Sequence, residues 1–474
     1  MQALPRVVLL ALSLGLLMSS GDLRAADLLS LPRAVSAALA ANPSLLVSRL
    51  GYEADEYGLQ AAKSEFELKV VPVAALGTIG ANTLAANTTG ANNRIGAQLR
   101  QKFESGTSVS VGPSWNRSGS TTNTTLNLSI QQPLLKGFGA EANLDGVYRA
   151  DYAKASSWRS FEQAKVNTAL ETIGVYYEAV KQMQLASLNE SLAERLRRHA
   201  LIARNKERVG LATPLDTYRA EISLKDAEDA VNQARNGYVT ARNRLKLILN
   251  LNLNTEIDVA APPPPELGVA DPEAEAVQTR AELVQLRAEL EEAMRAARVA
   301  ANALLPDLAL QANYGQGSVT DPFLQQYLPA TQRQWSVYLQ ASSDLYRTAE
   351  KMNHRRAELR VDTLRSNLES KTAEIRRQVR QQLAFLDEAR QRVVLRAEQI
   401  RQAEGKLALA EVKFAHDMAD NFAVIEAEAE LQRARSNLLA TEADHAVGVY
   451  NLKAIAGRLL EAFSAGRQPA EIAR

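Results

Sequence analysis

Two hydrophobic rhythms divide this chain. Val379, Leu386, Val393, Ile400, Leu407 and Phe414 recur every seven residues, and Ile375, Ala389, Ala403 and Ala410 fall on a companion seam broken by Gln382 and Arg396. That pattern over five heptads predicts a coiled-coil helix, and the small residues of the second seam let a neighbouring helix approach closely. Glu141 to Arg208 contains no proline, and its 68 positions at ~1.5 Å each predict a helix of about 100 Å. Arg347 to His416 predicts a second of similar length. The other rhythm has period two. Arg94–Phe103 and Thr107–Gly112 flank Glu104-Ser105-Gly106, a hairpin signal, and Thr124–Ile130 alternates. Leu308–Tyr314 and Trp335–Gln340 predict two further strands around a Pro- and Gly-containing loop.

The sequence of elements occurs twice. Gly210-Leu211-Ala212-Thr213-Pro214-Leu215-Asp216 separates two long charged, Ala-rich segments, and Asp417-Met418-Ala419-Asp420-Asn421-Phe422-Ala423 does the same about 207 residues later. From Gly210 to Leu251 is 41 residues and from Asp417 to Gly457 is 40. A duplicated helical hairpin, each preceded by its own strands, points to a unit that completes its packing against copies of itself. The expected organisation is 27–260 for the first repeat (helical start, strands at about 66–132, hairpin at about 140–250) and 273–460 for the second (strands at about 306–343, hairpin at about 346–457). Pro262-Pro263-Pro264-Pro265 breaks any helix between them, so 261–272 reads as an extended crossover, and 461–474 as a tail.

At the start, Val7–Met18 is a 12-residue apolar run after one positive charge, followed by small residues. It is too short to span a bilayer and reads as an export signal within 1–26, cleaved between about 21 and 26. The mature chain is therefore expected outside the cytoplasm. The chain has no cysteine, hence no disulfide, thiol nucleophile or lipidated cysteine. No later segment has the ~18 uninterrupted apolar residues of a spanning helix. That leaves a periplasmic or secreted protein, or one built into an outer membrane as strands. The strands alternate apolar with small polar residues, as in a sheet between lipid and water, and equally as in a soluble sheet with one wet face. If the sheet meets lipid, Trp115, Tyr314, Trp335 and Tyr338 are the candidate interfacial aromatics.

Composition removes other classes. The 55 basic and 54 acidic residues balance to a net charge of +1, so no nucleic-acid partner is expected. Aromatics at 5% are too few for several large cores, and a mean hydropathy of −0.22 does not fit a bundle of spanning helices. His199, His354, His416 and His445 have no ligand partner at helical spacing, and there is no nucleophile elbow, P-loop or dinucleotide turn. Neither metal, cofactor nor enzymatic activity is expected.

Several stretches resemble the outer-membrane efflux proteins of the TolC type. Leu31–Pro43, with spaced alanines and Asn42-Pro43, is similar to the family's opening. Gln132–Gly139 resembles its strand-to-helix junction, and Gly210-x-x-Thr213-x-x-Asp216 the turn at the far end of its helices. Arg280–Leu283 and Leu305–Leu308 resemble the matching points of the second repeat. The resemblance covers about 28–460 and implies a mainly α chain with a β-barrel portion. It implies a homotrimer whose protomers each give two repeats of strand pair plus helical hairpin. The strands would close one barrel in outer-membrane lipid, and the helices a periplasmic tunnel with a gated tip. The implied role is the exit channel of a tripartite efflux or type I secretion system, with a periplasmic adaptor and an inner-membrane transporter as partners. A periplasmic coiled-coil adaptor is the alternative. Cargo, whether drug, metal or polypeptide, leaves no mark in the sequence.

Within that frame Asp216, Asp420 and Glu426 are the candidate gate carboxylates, which three-fold repetition would make into cation-attracting rings; the alternative is that they cap helix N-termini. Gly210, Leu211, Ala212, Thr213, Met418 and Ala419 are the candidate adaptor-contact tip, the alternative being that Leu211 and Met418 close the tips against each other. Three departures from the family pattern stand out. Asp344 replaces a proline at the second strand-to-helix junction, Asp417 replaces the turn glycine, and 81–120 holds strands beyond a simple pair, as an extended hairpin or outer loop.

Overall fold

The structure, a computed structural model, describes residues 28–82, 87–118, 121–268, 271–320, 330–416 and 418–464. The export signal and its cleavage site, Asp417 and the tail beyond Ser464 lie outside these residues. In chain order come α1 (Leu31–Ala41), α2 (Pro43–Lys63), a 3-10 turn (Ser64–Phe66), β1 (Lys69–Asn82), β2 (Asn87–Lys102), β3 (Ser108–Ser118) and β4 (Thr121–Pro133). Then follow α3 (Ala140–Asn143), α4 (Asp145–Arg208), α5 (Pro214–Ile248), α6 (Pro272–Thr279), α7 (Ala281–Asn302), β5 (Asp307–Thr320), β6 (Ala330–Ser342), α8 (Thr348–Ala415), α9 (Asn421–Ile455) and α10 (Glu461–Ser464). The Pro-rich stretch 261–268 forms neither helix nor strand. Strands precede a long helical hairpin twice, as the sequence pattern predicts. The first repeat gives four strands and the second two, so the strand pair per repeat that the family resemblance implies is exceeded in the first.

Packing divides the chain into two compact units, each drawn from both repeats. One comprises Ser48–Ser160 and Ala281–Thr372. Its six strands form one antiparallel sheet in sequence order, β1 to β6. Of the two readings of 81–120, the extended hairpin describes residues 87–118: β2 and β3 pair antiparallel and both belong to the sheet. The register sorts the side chains, because period-two alternation assigns alternate residues to opposite faces. One face carries Val70↔Leu99, Ile95↔Trp115, Val111↔Leu128, Leu128↔Tyr314, Ala312↔Val337 and Tyr314↔Trp335. The other carries Arg100↔Ser110, Ser114↔Thr125, Ser129↔Asn313 and Gln311↔Tyr338. The apolar face is thus continuous across all six strands.

The strand-to-helix junctions are built locally. Asn143 Nδ2 donates to the carbonyls of Gly137 and Gly139 at 2.7 and 2.9 Å, with both glycines at positive φ. The turn between β2 and β3 packs on this loop, and a Cβ on Gly106 would meet Gly137 O at 2.7 Å. At the second junction Asp344 Oδ1 accepts from Tyr346 N–H at 3.2 Å, and Arg347 takes φ 47°. An Asx turn followed by one left-handed residue therefore makes the bend at which the sequence resemblance predicts proline. Around the sheet's base, α4 is tied to α2 by Lys154–Glu56 at 2.7 Å, and to α7 by Arg295–Asp145 at 2.7 Å.

The other unit comprises the described parts of Met1–Val47, Phe161–Arg280 and Ala373–Arg474. Its largest core gathers Leu31, Val35, Ile173, Tyr176, Leu245, Ile248, Val259 and Ala446 from α1, α4, α5 and α9. Leu29 and Val259 form a parallel bridge, and the fully buried Tyr176 hydroxyl reaches the carbonyls of Leu29 and Ala260 at 2.6 and 2.7 Å. Burial pushes this phenol up to about 12, so it remains a donor at any physiological pH. The predicted seam of α8 holds: Ile375, Val379, Leu386, Ala389, Ala403 and Ala410 are buried. Gln382, which interrupts it, donates from Nε2 to Gly448 O at 3.0 Å. A Cβ on Gly448 would lie 2.9 Å from Phe385, so glycine permits the close approach of α9 there.

Candidate functional site

The two hairpin tips follow one plan with different residues. At the end of α4, Leu211 N–H donates to Lys206 O at 2.8 Å and Gly210 N–H to Glu207 O at 2.9 Å, with Gly210 at φ 76°. Nothing lies within 4 Å of a Cβ built there, so conformation rather than space calls for glycine. Thr213 caps α5 and Pro214 begins it, where a missing N–H costs nothing. Asp216 N–H donates to Thr213 Oγ1 at 3.4 Å and Thr213 N–H to Asp216 Oδ2 at 3.1 Å, a reciprocal capping box. The bonds from the Thr213 hydroxyl and backbone hold the Asp216 carboxyl below its ordinary value. At the other tip Met418 N–H donates to Lys413 O at 2.8 Å, the same five-residue offset as Leu211 to Lys206. Asp420 caps α9 by accepting from Ala423 N–H at 3.1 Å.

Of the candidate carboxylates, two are therefore engaged at helix N-termini. Glu426 is different. Its side chain is exposed on the second turn of α9, with Lys406 Nζ at 3.9 Å; Lys406 sits closer to Glu430, at 2.5 Å. Leu211 is 75% exposed and Met418 67%, so neither closes one tip against the other within a single chain. Gly210 and Thr213 are exposed too, and Ala212 and Ala419 half-buried. The exposed apolar surface continues along α5 through Leu215, Tyr218 and Ile222, a helical spacing that the turn motif alone did not bring out. The hairpins are joined by cations over rings: Lys206 lies 4.3 Å from the centre of Phe414, and Arg219 5.1 Å from that of Phe422. Of the candidate aromatics, Trp115, Tyr314 and Trp335 share the apolar face of the sheet, and Tyr338 stands on the polar one beside Gln311.

Behind the tips lies a polar layer that sequence reasoning passed over. Glu428 is 1% exposed and accepts from Arg195 Nε at 2.7 Å. Gln432 Nε2 donates to Asn189 Oδ1 at 2.5 Å, and Asn421 Nδ2 to His199 O at 3.4 Å. These bonds tie α9 of the second repeat to α4 of the first. Glu428 Oε2, His199 Nδ1, Asn421 Oδ1, Thr217 Oγ1 and Gln432 Oε1 are buried with no hydrogen-bond partner among the described residues. Burial holds the His199 imidazole below its ordinary value, against the pull of Glu428 and Glu411 and helped by Arg198. The signal for Glu428 was available: it lies four residues after Val424 and three before Leu431, on the buried seam of α9.

Residues 274–458 match the model of the outer membrane efflux protein family. The outer membrane efflux protein BepC of Brucella suis biovar 1 is 28% identical over 117 residues, a quarter of this chain and a quarter of that protein. Among solved structures, the outer-membrane channel OprN superposes with a TM-score of 0.72 at 15% identity, over 90% of this chain and 89% of that one. The CmeC outer membrane channel of Campylobacter jejuni does so with a TM-score of 0.70 at 14% identity, over 90% and 86%. The fold is shared: mainly helical, with long hairpins and an antiparallel sheet.

Two outcomes follow from the polar layer. Arg195→Ala strands a fully buried carboxylate and costs about 3–5 kcal/mol, whereas the double variant Arg195→Met with Glu428→Leu regains most of it; urea denaturation of these two variants and the wild type checks this. His199 is neutral when folded and protonates more readily unfolded, so stability is level above about pH 6.5 and falls below it. His199→Gln is expected to flatten that acid limb in melting curves from pH 7 to 5. An unchanged limb removes His199 from the account.

Proposed function

We propose, for a chain whose second repeat carries an outer membrane efflux protein domain, that it is the outer-membrane exit duct of a tripartite efflux or type I secretion system. What carries the reading is the sheet: six strands with a continuous apolar face, an opposite face that is polar from β2 to β6, and two outer edges unpaired among the described residues. Such a sheet suits lipid on one side and water on the other. Its edges exclude a lone chain as the working form, because unpaired backbone groups are costly in lipid. A homotrimer with strands in the outer membrane and long helices in the periplasm meets that demand. The duct itself performs no chemistry, and an inner-membrane transporter supplies the energy.

The tips take two roles in this reading. Leu211, Met418, Leu215, Tyr218 and Ile222 offer exposed apolar surface suited to the helices of a periplasmic adaptor, with Gly210, Ala212, Thr213 and Ala419 keeping the turns slim. The gate carboxylate is Glu426, whose side chain is free of capping duty, while Asp216 and Asp420 chiefly fix the tip's shape. Trp115, Tyr314 and Trp335 meet lipid, and Tyr338 faces the lumen.

Membrane fractionation is expected to return the mature protein in the outer membrane as a heat-sensitive trimer; a soluble or inner-membrane protein overturns the reading in favour of an adaptor. In planar bilayers Glu426→Gln is expected to reduce cation selectivity and weaken block by divalent cations at least several-fold. Unchanged selectivity removes Glu426 from the gate.

A further inference from the structure

The sheet has an even number of strands and two free ends. β1 pairs only with β2, and β6 only with β5, in an open order from β1 to β6. Each outer edge is therefore a row of backbone donors and acceptors without partners among the described residues, and such a row takes one kind of occupant, another strand. Because every neighbour is antiparallel, the first and sixth strands run in opposite directions. The β6 edge of one copy can thus accept the β1 edge of the next as one more antiparallel neighbour. The strands also match in length, 14 residues in β1 and 13 in β6. Both carry apolar residues on one common side of the sheet, Val70, Ala74 and Leu76 on β1 and Trp335, Val337 and Leu339 on β6, while β1 has Val71 and Val73 on the other side as well. Pro72 removes at most one donor from the β1 edge. Proline in a sheet is confined to edge strands or bulges, in keeping with a strand that ends the sheet of its own chain.

Closure of one chain on itself is excluded by size. A ring of six strands has no room for its inward side chains, and membrane barrels begin at eight. We propose that β1 of one copy pairs with β6 of the next, and that the β2–β3 strands belong to the wall, so that the closed barrel has eighteen strands, six from each of three copies. This rests on the trimeric duct proposed above and adds the identity of the joining strands and the size of the pore. With strands ~4.8 Å apart and tilted by ~40°, the wall has a backbone radius of roughly 18 Å, against roughly 12 Å for a wall of two strands per repeat. Arg94 and Arg100 lie on the polar side of β2 and would line its water-filled interior. The long first-repeat meander is then the device that widens the duct at the membrane.

The chain contains no cysteine, so introduced thiols report without background. Ala74→Cys is combined in turn with Trp335→Cys, Val337→Cys and Leu339→Cys, all on the apolar side, in full-length protein purified from membranes. Oxidation is expected to link chains into a covalent trimer most efficiently for one pair, since adjacent members of the panel differ by one register step. Electron microscopy of the wild-type trimer in nanodiscs is expected to count eighteen strands. An assembled trimer that yields no interchain link across the panel, a link formed within one chain, or a wall of twelve strands each overturns the inference and leaves the duct reading standing. Absence of any outer-membrane trimer overturns the duct reading itself, and this inference with it.

Discussion

The long helices have little apolar surface to bury, and that scarcity shapes the rest of the helical unit. Along α4, α5, α8 and α9 the covered positions are largely alanine, as at Ala193, Ala200, Ala203, Ala220, Ala227, Ala234, Ala403 and Ala434. An alanine removes only a few tens of Å² from water, and at ~25 cal/mol per Å² each contributes little. Stability then comes from length, many weak contacts in series, and from backbones that approach closely enough for dispersion to add up. Gly448 under Phe385 and Leu386 is the extreme case. A thin seam also leaves register poorly determined, since one alanine layer resembles the next. The polar residues inside it supply what the alanines lack: Gln382 on Gly448 O, Gln432 on Asn189 and Arg195 on Glu428 are each satisfied in one alignment of the helices. This is the role polar seam residues play in coiled coils, specificity obtained at some cost in stability.

The tips show the same logic at the ends of the hairpins. Fixed turns come from backbone chemistry, a left-handed glycine at 210 and the Thr213–Asp216 capping box. The join between hairpins comes from two cations over two rings. Such contacts are modest, about 0.5–1 kcal/mol each at exposed sites, so the hairpin ends are held to each other far more lightly than the helices are held along their length.

The sequence was legible where a period was at stake. The seven-residue spacing of Val379, Leu386 and Val393 gave α8 and its partner face, and alternation gave the strands from β2 to β6, because both periods are fixed by backbone geometry; β1, apolar on both faces, shows no such alternation. Tyr338 was readable as well: it is three residues from Trp335, an odd step, and an odd step crosses a sheet. Which polar residue the fold buries was legible only from its spacing to apolar neighbours, and was passed over. Glu426, Glu428 and Glu430 look alike in a row, and only the neighbours Val424 and Leu431 set Glu428 inside. Membership of β2 and β3 in the sheet was hidden because it depends on partners: β3 joins β4, and β4 joins a strand of the other repeat. The Asx turn at Asp344 shows a different limit, since one bend can be made by proline or by a side chain that accepts a backbone N–H.

That junction between repeats has a consequence for how the chain comes to be folded. Pro133 is paired with Ala309, 176 positions further on, with two long helices and the proline run in between. The first four strands can form as a local meander before the rest of the chain is available. The last of them then presents a bare strand edge until β5 has been delivered. Pairing across so long a separation is slow, and the waiting edge is prone to bind whatever strand it meets. Completion of the sheet, and protection of that edge, therefore wait on a single pair of strands from the two repeats.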